Sequence, residues 1–133
     1  MPRVLMVDDD PMVGIAVEFC LQRQGFEVIV AGGNEAGIIA LETSAFDVML
    51  VNIFMPNASG SIRSFHRRVP AIPLIAMFGC AFTAIESPSP EFLRMTLELG
   101  ARCCLRKPFR PNALLAAVNL CLTRPTITAQ PLR

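Results

Sequence analysis

Residues 46–56 read FDVMLVNIFMP. The interior of that stretch, Val48-Met49-Leu50-Val51, is apolar at every position. A strand with one wet face alternates between apolar and polar residues. An unbroken apolar run of this length marks a strand covered on both faces, as in a parallel sheet between helices. Asn52 closes the strand, and Met55-Pro56 opens the loop after it.

Outward from this strand, four more apolar runs alternate with helical patterns. Residues 3–8 (RVLMVD) form the first strand. Asp10 then caps a helix with Pro11 in its first turn. Val13, Val17, Cys20 and Leu21 recur there at helical spacing, and Gly25 ends the helix. Residues 26–31 (FEVIVA) are the second strand, followed by a helix capped by Asn34 with Ala36, Ile39, Ala40 and Leu41 as its apolar stripe. Residues 47–52 are the third strand, 59–69 a short helix and 73–78 (PLIAMF) the fourth strand. Ser89-Pro90 starts a helix that Gly100 ends, and residues 102–106 are the fifth strand. Pro111 opens the last helix; Leu114, Leu115, Val118, Cys121 and Leu122 face inward, and Pro125 stops it.

Strands alternating with helices imply right-handed crossovers and a parallel sheet. The expected fold is α/β, a flavodoxin-like (βα)5 doubly wound sheet with strand order 2-1-3-4-5. Residues 1–124 make one domain, and 125–133 a short tail expected to be disordered. In such sheets ligands bind beyond the carboxyl ends of the strands. Asp8, Asp9, Asn52, Phe78 and Lys107 all fall at or just past those ends.

Composition narrows the function classes. The chain has 133 residues, 12 Lys or Arg against 11 Asp or Glu, and a net charge of +1. No basic field invites nucleic acid. The uncharged run between Arg68 and Glu86 is broken by Pro70, Pro73 and Gly79 and falls short of a bilayer span, so no membrane segment is expected. Five cysteines without a CxxC pair, and no secretion signal at the start, point to reduced thiols in the cytoplasm. They read first as small buried hydrophobes. His66, the only histidine, lies among arginines and reads as a surface residue.

Two adjacent carboxylates at a strand end suit Mg²⁺, which takes oxygen ligands and keeps several waters. Asp8 and Asp9 are the candidates, while Asp10 reads as a helix cap. With the acidic cluster 8–10, the strand ending at Asn52 and Lys107-Pro108-Phe109 in order, the chain resembles the receiver domain of bacterial two-component response regulators. The resemblance spans roughly residues 3–123. It implies that Asp8 and Asp9 match the metal-associated acids and that Lys107 matches the lysine that pairs with the phosphoryl group. Asp47, Met55, Pro56 and Gly60 fit the family pattern as well.

Three positions depart from that pattern. Asn52 stands where the family has its phospho-accepting aspartate. Phe78 replaces the Thr or Ser whose hydroxyl binds a phosphoryl oxygen. Cys104 replaces the Tyr or Phe that swings inward on activation. Phe78 and Cys104 read either as an exchange of volume or as two independent departures. The resemblance implies a stand-alone receiver-like module in phosphorelay signalling. It is expected not to be phosphorylated at Asn52, not to be an enzyme, and to bind Mg²⁺ weakly. Its partner is a histidine kinase or another signalling protein, with a homodimer through the 86–107 surface as a further use of Phe92, Leu93, Met95 and Leu97. The alternative is a conventional phospho-accepting regulator whose aspartate was replaced by Asn52. A nucleotide-binding enzyme on the same topology would need a Gly-rich phosphate loop or a nucleophile–base pair, and the sequence offers neither.

Overall fold

The computed structural model describes residues 1–53, 61–79 and 90–123, without the side chains of Ser61, Phe92 and Leu93. Five strands alternate with five helices: β1 (Arg3–Val7), α1 (Pro11–Gln22), β2 (Glu27–Ala31), α2 (Asn34–Thr43), β3 (Val48–Asn52), α3 (Ser61–Arg68), β4 (Leu74–Phe78), α4 (Pro90–Glu98), β5 (Cys103–Arg106) and α5 (Pro111–Thr123). The strands make one parallel sheet in the order β2-β1-β3-β4-β5. Strands β2 to β5 each begin one residue later than the sequence suggests. Asp47 and Arg102 still donate ladder bonds, to Arg3 and Leu74 at 2.8 and 2.7 Å, so the difference concerns strand ends only.

Both β3 and β4 are buried at all five positions. Because side chains alternate along a strand, each strand serves two cores. Val4, Met6, Val48, Leu50, Ile75, Met77 and Leu105 meet Val17 and Leu21 of α1 and Leu114, Val118 and Cys121 of α5. Leu5, Val7, Met49, Val51, Leu74 and Ala76 meet Ile62 and Phe65 of α3 on the opposite face. Burying one such aliphatic side chain stabilises the fold by roughly 1.5–3 kcal/mol.

The helix caps follow the sequence in part. Asp10 caps α1 as expected, its Oδ1 accepting from the Met12 N–H at 3.0 Å. Gly25, at φ +92°, closes the turn after α1. Asn34 does not cap α2: the N-cap is Gly33, and Asn34 is the first helical residue. The predicted α2 stripe is also rotated. Ala36 and Ile39 are exposed, whereas Gly37 is buried and Ile38, Ala40 and Leu41 pack on the core. Close approach fixes this orientation: a Cβ on Gly37 would lie 3.0 Å from the Phe65 ring and 3.1 Å from Val7. His66 is half-buried, not a free surface residue. It packs on Gly100, at φ +124°, where an added Cβ would fall 2.5 Å from the imidazole.

Several expectations lie outside the described residues. These are the Ser89 cap, the stop at Pro125, the tail at 125–133, and Met55, Pro56 and Gly60. No helix among the described residues is long and apolar enough to cross a membrane.

Candidate functional site

Strand parity assembles the site. Asp8 extends the 4-6-8 series of β1, Asn52 ends the 48-50-52 series of β3, and Lys107 extends the 103-105-107 series of β5. All three series carry the side chains that pack on α1 and α5. The polar residues at their carboxyl ends therefore converge above the α1/α5 core.

Asp8 is the centre of the arrangement. Its residue is 2% exposed and its side chain is fully enclosed. Lys107 Nζ pairs with Asp8 Oδ2 at 3.0 Å. Asn52 Nδ2 donates to Asp8 Oδ1 at 3.0 Å, and the Asp10 backbone N–H donates to the same oxygen at 2.9 Å. Three donors, one of them a buried countercharge, thus satisfy one carboxylate, the condition under which a charge can be buried. Asn52 is also buried, and Asp9 is exposed. Asp9 Oδ1 lies 3.5 Å from Asn52 Nδ2, at the outer limit of a hydrogen bond. The two acids paired in the sequence therefore differ in place: Asp8 is inside, and Asp9 stands at the rim.

Two backbone features hold Lys107 in position. Its N–H donates to the Phe78 carbonyl at 2.7 Å. Gly79, immediately after β4, adopts φ +98°, and a Cβ there would meet the Lys107 carbonyl at 2.7 Å. The exit of β4 can approach Lys107 this closely only because residue 79 has no side chain. In the sequence Gly79 reads only as a break in an apolar run. A glycine directly after a buried strand was the available signal.

Phe78 is buried at the end of β4. Cys104 pairs in register with Ala76, and both pack on the core opposite α1 and α5. Alternation places Phe78 on that same face, one pleat repeat beyond Ala76. The Cys104 thiol lies 3.1 Å from the Thr96 hydroxyl. Burial raises the Cys104 thiol above its ordinary value, and the Thr96 contact works the other way. Thr96 is 1% exposed and ties α4 to β5, a link the sequence reading missed. Met95 and Leu97 on α4 are exposed, while the side chains of Phe92 and Leu93 lie outside the described residues.

The donor set decides what metal chemistry the pocket can support. Among the described residues no group of three His, Cys, Asp or Glu side chains converges on one point. Asp8 and Asp9 could each offer an oxygen, and the Asn52 amide an uncharged one. Asp8 already answers to the Lys107 ammonium. Such a set fits a hydrated Mg²⁺ held by few protein ligands.

The comparisons with known proteins agree with this geometry. A family model described as "Response regulator receiver domain" matches residues 4–119. The transcriptional activator protein PfeR of Pseudomonas aeruginosa is 33% identical over 132 residues, covering 98% of this chain and 41% of that protein. The sensor protein GacS of Pseudomonas syringae pv. syringae is 34% identical, covering 88% of this chain and 13% of that one. This chain therefore spans about half or less of the length of the curated relatives it matches. A crystal structure of a CheY-like response regulator receiver domain protein from Methanospirillum hungatei JF-1 superposes with a TM-score of 0.80 at 26% identity. It covers 92% of this chain and 94% of that one. From the parallel 2-1-3-4-5 sheet, the polar cluster above its carboxyl ends and the match over residues 4–119, the chain belongs to the response regulator receiver domain family of two-component signalling.

Proposed function

We propose that this chain is a receiver that works by protein interaction and does not accept a phosphoryl group at Asn52. The observation that carries the reading is the state of that residue. Asn52 is buried at the end of β3, with its amide nitrogen donating to Asp8. Phosphoryl transfer to a side chain needs a nucleophilic oxygen, held in line and backed by charge. A carboxamide oxygen carries no formal charge and its lone pair is delocalised into the C–N bond, so it is a poor nucleophile toward phosphorus. Phe78 adds a second obstacle, because a phenyl ring cannot donate a hydrogen bond to a phosphoryl oxygen.

Asp8 and Asp9 would hold Mg²⁺ weakly. Two carboxylates facing Lys107 leave a local charge of about −1, against about −2 for three carboxylates and the same lysine. The protein acts without catalysing a reaction of its own, in the cytoplasm, on a histidine kinase or another signalling protein. The 86–107 segment is the proposed docking face, with exposed Met95 and Leu97 as its apolar contacts. A second copy of the chain could use the same face. No nucleic-acid contact is part of this reading.

A receiver usually shifts between two conformations, and a ligand biases them only through differential contacts. This chain holds one dominant conformation, with Phe78 packed inside and the α4–β5 face presented constantly. Beryllofluoride titration followed by NMR tests it. Backbone amides of 90–106 should not move. Large shifts across α4 and β5 would mean that a phosphate-responsive switch survives.

A further inference from the structure

Helix α1 is apolar on both of its sides. Its inner side places Val17 and Leu21 in the core, with Gly14 held so close to β2 that a Cβ there would fall 2.8 Å from Val30 Cγ1. Its outer side carries Met12, Ile15, Ala16 and Phe19, at the i, i+3, i+4 and i+7 positions of one helical face. A surface helix ordinarily turns polar side chains outward, and one that is apolar all round is packed on both sides. Among the described residues no element covers this outer face: Met12 is 70%, Ile15 60% and Phe19 61% exposed. Glu18 is the one charged residue within the helix. Val30, exposed on the edge strand β2, continues the patch beside Gly14.

Charge is confined to the two ends of this face. Asp9 and Asp10 precede the helix, and Arg23 follows it. Asp9 and Arg23 are both exposed. The Arg23 guanidinium lies over the Phe19 ring, 5.3 Å from its centroid, and so borders the apolar stripe. The order along the face is therefore acid, apolar, base. Reversed end for end, that order is complementary to itself.

We propose that the outer face of α1 is a homodimer interface, in which two copies pack α1 against α1 antiparallel about a twofold axis. An axis between Ile15 and Ala16 sets these two residues against one another across the interface, and sets Met12 of each copy against Phe19 of the other. Arg23 lies about 11 Å along the helix from that axis and meets the acidic turn at Asp9 and Asp10 of the other copy. A twofold interface uses the same patch on both subunits, so the patch must complement itself. This one does so in its apolar centre and at its charged ends. The antiparallel arrangement also sets helix ends of opposite partial charge beside each other. A partner of a single sign of charge would meet like charge at one end. The face lies on the α1/α5 side of the sheet, whereas α4 meets β5 through Thr96 and Cys104 on the opposite side. The α4–β5 surface thus stays free in the dimer for a signalling partner.

Sedimentation velocity of the full chain from micromolar to millimolar concentration tests the proposal. The expected behaviour is a reversible monomer–dimer equilibrium. Ile15→Glu and Phe19→Glu should be monomeric throughout, while Met95→Glu, on the α4 surface, should dimerise as the parent does. Circular dichroism of each variant separates loss of the dimer from loss of the fold. Arg23→Glu and Asp9→Arg should each weaken dimerisation roughly tenfold or more, because like charges then face each other across the axis. Combining the two restores opposite charge at both contacts and should bring the dissociation constant back toward that of the parent. A parent that stays monomeric at millimolar concentration would overturn the proposal and leave the face to another protein or to the last residues of the chain. So would a dimer that survives Phe19→Glu, a dimer that Met95→Glu abolishes, or a double variant no tighter than the single ones.

Discussion

Replacing Lys107 by Met is the perturbation most directly specified by the site. The thioether chain has nearly the length of the lysine stem, so packing is preserved and the ammonium alone is lost. Asp8 would then remain enclosed as a carboxylate, with the Asn52 amide and the Asp10 N–H as its remaining donors. Removing one member of a buried ion pair costs roughly 3–5 kcal/mol, because the other charge is left uncompensated. Two surviving hydrogen bonds place this case at the low end, about 3 kcal/mol. In a domain of this size that lowers the thermal midpoint by roughly 10 °C. Urea unfolding followed by circular dichroism at pH 7 measures it. Adding Asp8→Asn to Lys107→Met removes the stranded charge and should recover most of the loss, with a coupling of at least about 2 kcal/mol in the double-mutant cycle. If Lys107→Met alone unfolds within 1 kcal/mol of the parent (the spread of an ordinary surface change, about 0.5 kcal/mol either way), the ion pair is not the keystone of the pocket.

Gly79→Ala should destabilise by at least about 1–2 kcal/mol, the cost of a left-handed backbone for a residue with a Cβ, with the contact to the Lys107 carbonyl adding to it; the same urea titration reads it. Leu50→Ala, in the centre of the α1/α5 core, should cost about 2–5 kcal/mol. Asn52→Asp should tighten Mg²⁺ binding, followed by NMR of the amides around Asp9, yet phosphorylate slowly while Phe78 remains; adding Phe78→Thr and Cys104→Tyr should speed it. Iodoacetamide labelling of Cys103 should rise with pH through a midpoint near 7, because its lowered value populates the thiolate below the ordinary thiol range.

The fold was legible because both sources of information are local. Unbroken apolar runs at β1, β3 and β4 mark strands covered on both faces, and Pro11, Pro90 and Pro111 mark helix starts. The site was legible because β1 stops just short of Asp8, β3 ends in Asn52 and β5 stops just short of Lys107. What the sequence hid depends on long-range contact. Nothing local distinguishes Asp8 from Asp9; the parity of β1 turns one inward and leaves the other exposed. The α2 stripe was misread because Gly37, with no side chain to count as apolar, is the residue of closest approach to Phe65. Thr96 reads as a polar helix residue until β5 brings Cys104 to its hydroxyl.

The central claim is that Asn52 ends phosphoryl acceptance in this receiver. Intact mass spectrometry after incubation with Mg²⁺ and acetyl phosphate tests it most directly, with Asn52→Asp treated in parallel. The account predicts that the parent chain keeps its unmodified mass throughout. A stoichiometric phosphoryl adduct on the parent, mapped to Asn52 or to Asp8 or Asp9 beside it, would contradict it.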